Sequence, residues 1–278
     1  MSHGSDTKPL VVLLHGSSCG PEFTVAPDGS FHETSVFQDG IGGALRNVHV
    51  AVVVRGGVEP LTFSSSMTAE EKESAFERAS SFCSDEYLRL ATKAIRVDDV
   101  LAVIDALQHQ PWVSSVVLAG HSEGTAVVTG VLRKPGSRRI SAAGLFASAG
   151  PMGFFAGYAA RGGASRDTFQ EVFDQVRRVQ QMSDDEMWRG LPGRRWKSFW
   201  LESTPIEDVR ESLVPLFVAQ GSDDGTTLAA DLFALEAIRQ QPKRSLRYVV
   251  ARAETTPLQA RTVDHEWVCC SRTSSAGR

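Results

Sequence analysis

Short apolar runs rich in β-formers alternate along this chain with longer stretches of helical periodicity, and that alternation limits the fold more than any other feature. The runs are Pro9 to His15, Val48 to Arg55, Ser115 to Gly120, Ile140 to Ser148, Leu213 to Gln220 and Ser245 to Ala251. Several are apolar without a break, as strands are when both faces of a sheet are covered. The pattern predicts an α/β protein with a mostly parallel sheet flanked by helices.

Between the second and third runs, Ala91 to Gln108 places Ile95, Val97, Leu101, Ile104 and Leu107 largely on one helical face, and Pro111 ends it. Glu123 to Arg133 reads as a second helix, closed by Pro135-Gly136, and Leu228 to Gln240 as a third before Pro242. Residues 150–212 break the alternation: about sixty residues with no obvious strand are too many for a connection between neighbouring elements. They are expected to form an inserted helical lid on one domain spanning residues 1–278, with a core of 9–149 and 213–270. The insertion carries Phe154, Phe155, Tyr158, Trp188, Trp196, Phe199 and Trp200, rings that either roof an apolar pocket or fasten the insertion to the body.

Gly120-His121-Ser122-Glu123-Gly124 lies between a strand ending at Ala119 and the helix from Glu123. This is the G-x-S-x-G pattern of a nucleophile elbow. A serine at so tight a turn is forced into a strained backbone conformation that holds its hydroxyl clear, and the glycines on either side let strand and helix approach. The helix that follows aims its positive end at the place where an oxyanion would form.

A serine hydroxyl needs a base, and the chain has seven histidines. It also needs a carboxylate to orient that base. The run from Pro215 to Gln220, followed by Gly221-Ser222-Asp223-Asp224, supplies strand, turn and acid in that order. Asp224 is assigned as the acid and Asp223 is the alternative; capping of the helix ahead of Leu228 is the structural role open to either. The loop His15-Gly16-Ser17-Ser18-Cys19-Gly20 has small residues that allow a backbone amide close to a substrate.

His15-Gly16, the elbow at Ser122, the turn from Gly221 to Asp224 and Asp264-His265 together resemble the α/β-hydrolase family across most of the chain. In that arrangement the order is serine, acid, histidine, and His265 is the only histidine C-terminal to Ser122. The resemblance therefore implies a triad of Ser122, Asp224 and His265. It implies oxyanion donors at the backbone amides of Glu123 and Ser17, with Ser18 second to Ser17, and a hydrogen-bonding structural role for His15. It also implies an eight-stranded sheet with a lid after the sixth strand. Here the chain opens almost on the third of those strands, so a reduced sheet is expected, and little helix-forming sequence follows His265.

The implied activity is hydrolysis of a carboxylic ester through an acyl-enzyme. A thioesterase or an amidase or peptidase uses the same parts, and a ligand-binding protein on a hydrolase scaffold is the reading from another class. A dehalogenase or epoxide hydrolase would, by the same resemblance, carry aspartate at position 122. A formal net charge of -4 with no concentrated basic stretch argues against nucleic acid as a partner. The expected partner is a small ester-like substrate; the sequence does not speak to oligomeric state.

No cofactor motif is present, and the four cysteines and the histidines lack zinc-site spacing, so neither cofactor nor metal is expected. Cys19 and Cys83 are expected as free thiols, a disulfide between them being the alternative. No apolar run is long enough for a membrane span, and the polar start favours the cytoplasm, although an exported protein with its signal peptide removed would look the same. Arg177, Arg178, Arg194 and Arg195 in the insertion are nearly balanced by Asp174, Asp184, Asp185 and Glu186, which predicts a solvated lid face.

Overall fold

The computed structural model describes residues 7–34, 46–147 and 165–252. The first strand, β1 (Lys8–Leu14), is followed by three short strands, β2 (Phe23–Val25), β3 (Phe31–Glu33) and, after β4 (His49–Val52), β5 (Leu61–Thr62). Then come α1 (Ala69–Ser81), α2 (Asp85–Leu90), α3 (Lys93–Leu107), β6 (Val113–His121), α4 (Gly124–Arg133), a 3-10 turn (Pro135–Arg139) and β7 (Ile140–Phe146). The insertion holds α5 (Arg166–Gln181), β8 (Met187–Trp188), β9 (Leu191–Pro192), α6 (Gly193–Trp200) and α7 (Pro205–Asp208). The chain returns through β10 (Leu216–Gly221), α8 (Thr227–Gln240) and β11 (Leu246–Ala251).

All six expected strands join one sheet, in the order β11-β10-β7-β6-β1-β4, and every pairing within it is parallel. Parallel neighbours need a crossover, and α3, α4 and α8 supply those before β6, β7 and β11. The fold is α/β, a parallel sheet flanked by helices, with a helical insertion between β7 and β10. Its main core joins Leu10, Val12 and Leu14 of β1, Leu118 of β6 and Leu145 of β7 to Val127, Val128 and Val131 of α4 and Phe233 of α8. Burial on this scale stabilises each large side chain by roughly 1.5–3 kcal/mol.

Several local expectations need correction. The strand expected over Val48 to Arg55 ends at Val52, because Arg55 turns inward to an ion pair with Glu22. β2, β3 and β5 form a second, three-stranded sheet too short to leave a periodic signal. α1 was also unforeseen, although Thr68 and Glu71 form a capping box at its start. The insertion is not free of strands: β8 and β9 pair antiparallel around Arg189 and Gly190, whose φ values of 50° and 77° suit a two-residue hairpin loop. Finally, Cys19 and Cys83 form a disulfide rather than free thiols, since the loop after β1 packs on the segment between α1 and α2.

The insertion is fastened to the body by buried polar contacts. Lys93 Nζ pairs with Asp208 Oδ2 at 2.6 Å, and the Lys93 backbone N–H donates to Ser198 Oγ at 3.0 Å. Both side chains of the ion pair are almost completely buried, so removing Asp208 would leave the Lys93 ammonium stranded.

Candidate active site

Ser122 stands at the C-terminal end of β6, where open parallel sheets place their ligands. Its φ of 52° is the left-handed conformation expected of an elbow, and the sheet holds it there: the Ser122 N–H donates to the Phe146 carbonyl at 2.9 Å. Gly124 has to be glycine for the same turn to close, because a Cβ there would lie 2.3 Å from the Leu14 carbonyl oxygen. The Ser122 carbonyl is drawn into α4 by Thr125, whose N–H and hydroxyl donate to it at 3.1 and 2.7 Å. In a trans peptide the N–H opposes the C=O, so the Glu123 amide is turned the other way, out of the helix.

Ser17 and Ser122 line one pocket of about 230 Å³, together with Glu123, Ala126, Leu191, Arg195, Trp196, Phe199 and Trp200. The aromatic side chains of the insertion divide between the two roles open to them. Trp196, Phe199 and Trp200 face the pocket, while Trp188 packs behind them with ring centroids 5.0 Å from Trp196 and 6.3 Å from Trp200. Phe154, Phe155 and Tyr158 lie outside the described residues. A larger open cleft of about 1260 Å³ is lined by Ile140 and Pro215, which puts it at the opposite, N-terminal ends of β7 and β10 and away from Ser122.

The pocket floor is charged. Glu123 accepts from Arg96 Nη1 at 2.7 Å and from Arg195 Nη2 of the insertion, and the two arginines also donate to the His15 and Ala91 carbonyls. Arg195 is therefore not on a solvated lid face as its balanced neighbourhood in sequence suggested; it is 3% exposed, with Phe199 across its guanidinium at 5.0 Å. Arg178 and Arg194 do pair with Glu186 and Asp185, more exposed partners, as expected of a solvated face.

Asp224 and Asp223 diverge. Asp223 is exposed and accepts from the Ser222 hydroxyl at 3.0 Å. Asp224 is half-buried, and its charge opposes the fall in the pKa of His121 that burial causes. Its Oδ1 also accepts from Thr226 N–H and hydroxyl at 2.8 and 2.7 Å, which closes a turn just ahead of α8 without capping it, because the N-cap of that helix is Thr226. His15 is buried at the end of β1 with Nε2 3.0 Å from Glu33 Oε1. Burial first, then Arg55, Arg96 and His121, lowers its pKa to about 4, which leaves it a neutral structural ring near pH 7. His265 lies outside the described residues.

Arg55, Glu22 and Arg96 escaped the reading of the sequence: each is a single charged residue in a loop or on a helix, with no spacing that marks it as buried.

Among the described residues no group of His, Cys, Asp and Glu is placed to hold a metal ion, and no helix is long and apolar enough to cross a membrane. No protein-family model matches the chain, and no curated protein matches it by sequence. Solved structures do match in shape. Est1E from Butyrivibrio proteoclasticus, with ferulic acid bound, is 16% identical over 90% of this chain and 82% of its own, with a TM-score of 0.56. A puromycin-hydrolyzing peptidase of Mycobacterium tuberculosis (16% identity, 91% of this chain, TM-score 0.51) and the acylaminoacyl peptidase of Pyrococcus horikoshii (14%, 90%, 0.51) are also similar. This chain spans only about a third of those two peptidases, 32% and 33% of their length.

Proposed function

From the α/β-hydrolase fold that this chain shares with those structures, we propose that it is a serine hydrolase cleaving carboxylic esters through an acyl-enzyme. Ser122 attacks the ester carbonyl, His265 takes the hydroxyl proton and returns it to the leaving alcohol, and Asp224 orients the imidazole. The amides of Glu123 and Ser17 receive the oxyanion, and water then releases the acid by the same route in reverse. The observation that carries this reading is the left-handed Ser122 at a strand-to-helix turn, opening into a pocket that also contains Ser17.

The carboxylate at 224 follows β10, two strands from the elbow, and its field reaches His121 beside the nucleophile. That supports Asp224 over the exposed Asp223. The rings of Trp196, Phe199 and Trp200 suit an apolar or aromatic substrate group, and the ferulic acid held by Est1E is a ligand of that kind. Amide cleavage is the second reading, supported by the two peptidases of similar shape.

A serine-reactive phosphonate should label the protein but not Ser122→Ala, and that variant should lose ester turnover. Equal labelling and turnover in both would end the proposal. Rates on matched esters, thioesters and anilides rank the substrate classes. With His265 as base, kcat/KM should rise with pH through an imidazole-like pKa, and His265→Gln should abolish that rise together with most of the activity.

A further inference from the structure

We infer that Arg55 is a positioning residue of the oxyanion site, holding the peptide between Gly16 and Ser17 so that the Ser17 N–H faces the Ser122 hydroxyl. The inference rests on the serine-hydrolase reading and adds a residue outside the triad to it.

Arg55 lies three residues beyond β4 and is 6% exposed. Glu22, itself buried, sets its orientation: Arg55 Nε donates to Glu22 Oε1 at 2.6 Å and the Arg55 backbone N–H to Oε2 at 3.0 Å. The remaining arms of the guanidinium reach into the loop after β1. Nη1 donates to the carbonyls of Gly16, at 2.9 Å, and Ser18, and Nη2 to that of Gly20 at 3.3 Å. Alternate carbonyls of one glycine-rich loop thus turn toward a single buried cation.

The described peptides are all trans, so the N–H that shares a peptide with each carbonyl points away from Arg55. For the Gly16 carbonyl that partner is the Ser17 N–H. The loop runs against Ser122 at this point: a Cβ on Gly16 would lie 2.9 Å from Ser122 Cβ and 3.4 Å from its Oγ, and Ser17 lines the same pocket as Ser122. Orientation at this peptide therefore decides whether a donor or an acceptor meets a negative oxygen beside Ser122, and an acceptor there would repel it. A loop without helix or strand bonding needs an outside group to fix that choice. The planar fork of an arginine can hold Glu22 and three carbonyls at once, which the three donors of a lysine ammonium cannot.

The test is Arg55→Lys, which keeps a charge opposite Glu22, assayed on an ester and its thionoester, whose larger sulfur is a weak acceptor and draws less from the oxyanion donors. We expect a cooperatively folding variant with kcat lowered about 10- to 100-fold, short of the loss of a whole donor, and KM changed by no more than about threefold. The preference for ester over thionoester should fall by a similar factor. Glu22→Gln with Arg55→Met removes both charges together and should show the same loss of preference. A folded variant with unchanged kcat and preference, or a slower one with unchanged preference, overturns the role, as does failure of both variants to fold. Ser122→Ala separates the layers: if it stays active, the hydrolase reading falls and the inference with it. If it is inactive while Arg55→Lys keeps the preference, only the role of Arg55 falls.

Discussion

Two walls at the C-terminal edge of the sheet, the loops after β1 and after β10, are built by different means. On the β1 side, the loop from Gly16 to Gly20 is tied from outside, by Arg55 and Glu22 and by the Cys19–Cys83 disulfide, whose partners are 64 residues apart. On the β10 side, the turn at Asp224 closes on itself: its carboxylate accepts from Thr226, and its carbonyl from the Thr227 N–H at 3.0 Å and hydroxyl at 2.6 Å. A turn that leads into a helix can be specified by three or four neighbouring residues. The glycine-rich loop after β1 leads into no helix and has no such local code, so distant parts of the chain fix it.

The largest effect that would break this contrast lies on the self-contained wall. Asp224→Asn keeps an oxygen to accept from Thr226, so the turn should survive while kcat drops on the order of 10³- to 10⁴-fold, and Asp223→Asn should stay within about threefold of the parent. Similar activity in the two variants would show that the carboxylate at 224 serves the turn alone.

Next in size is the covalent tie of the opposite wall. Cys19→Ser with Cys83→Ser should lower the unfolding free energy by roughly 2–4 kcal/mol in a denaturant titration while leaving kcat near that of the parent at 25 °C, because Arg55 still holds the loop. A matching fall in kcat in the folded variant would mean that the disulfide, and not the cation, sets the loop.

The smallest effect concerns His15, under the same wall. Burial, with Arg55, Arg96 and His121, holds the pKa at about 4 against 6.5 for an ordinary histidine. Between those values the unfolded chain binds the extra proton, so stability present above pH 6.5 is lost as the pH falls and levels off below about 4. Allowing for partial screening, the loss is about 2 kcal/mol, and unfolding curves of His15→Gln should lack that component between pH 6.5 and 4. An unchanged pH dependence in the variant would place the ring's proton affinity near that of free histidine.

The six sheet strands were legible because a parallel strand covered on both faces must be apolar along its length, as Leu10 to Leu14 and Val116 to Ala119 are. The left-handed turn at Ser122 was legible because Gly120, Ser122 and Gly124 answer to local sterics. The short strands of the second sheet were not, since two or three residues carry no period. Arg195 was misread because charge balance along the chain says nothing of which partner a side chain meets: Glu123 lies 72 residues away. His265 lies outside the described residues, and the lid that Phe154 and Tyr158 were expected to help form is described only from residue 165 onward.

By itself the sequence determined the order of the six sheet strands and of three helices between them, the serine at a strained turn and the carboxylate that follows β10, because each follows from backbone sterics and apolar pattern within a few residues. Only the tertiary structure decided which charges are buried and what they hold: that Arg55 gathers the loop after β1, that Arg96 and Arg195 share Glu123, and that Cys19 meets Cys83. Those contacts join residues far apart in the chain, and a buried charge is stable only where the fold brings its partner to it.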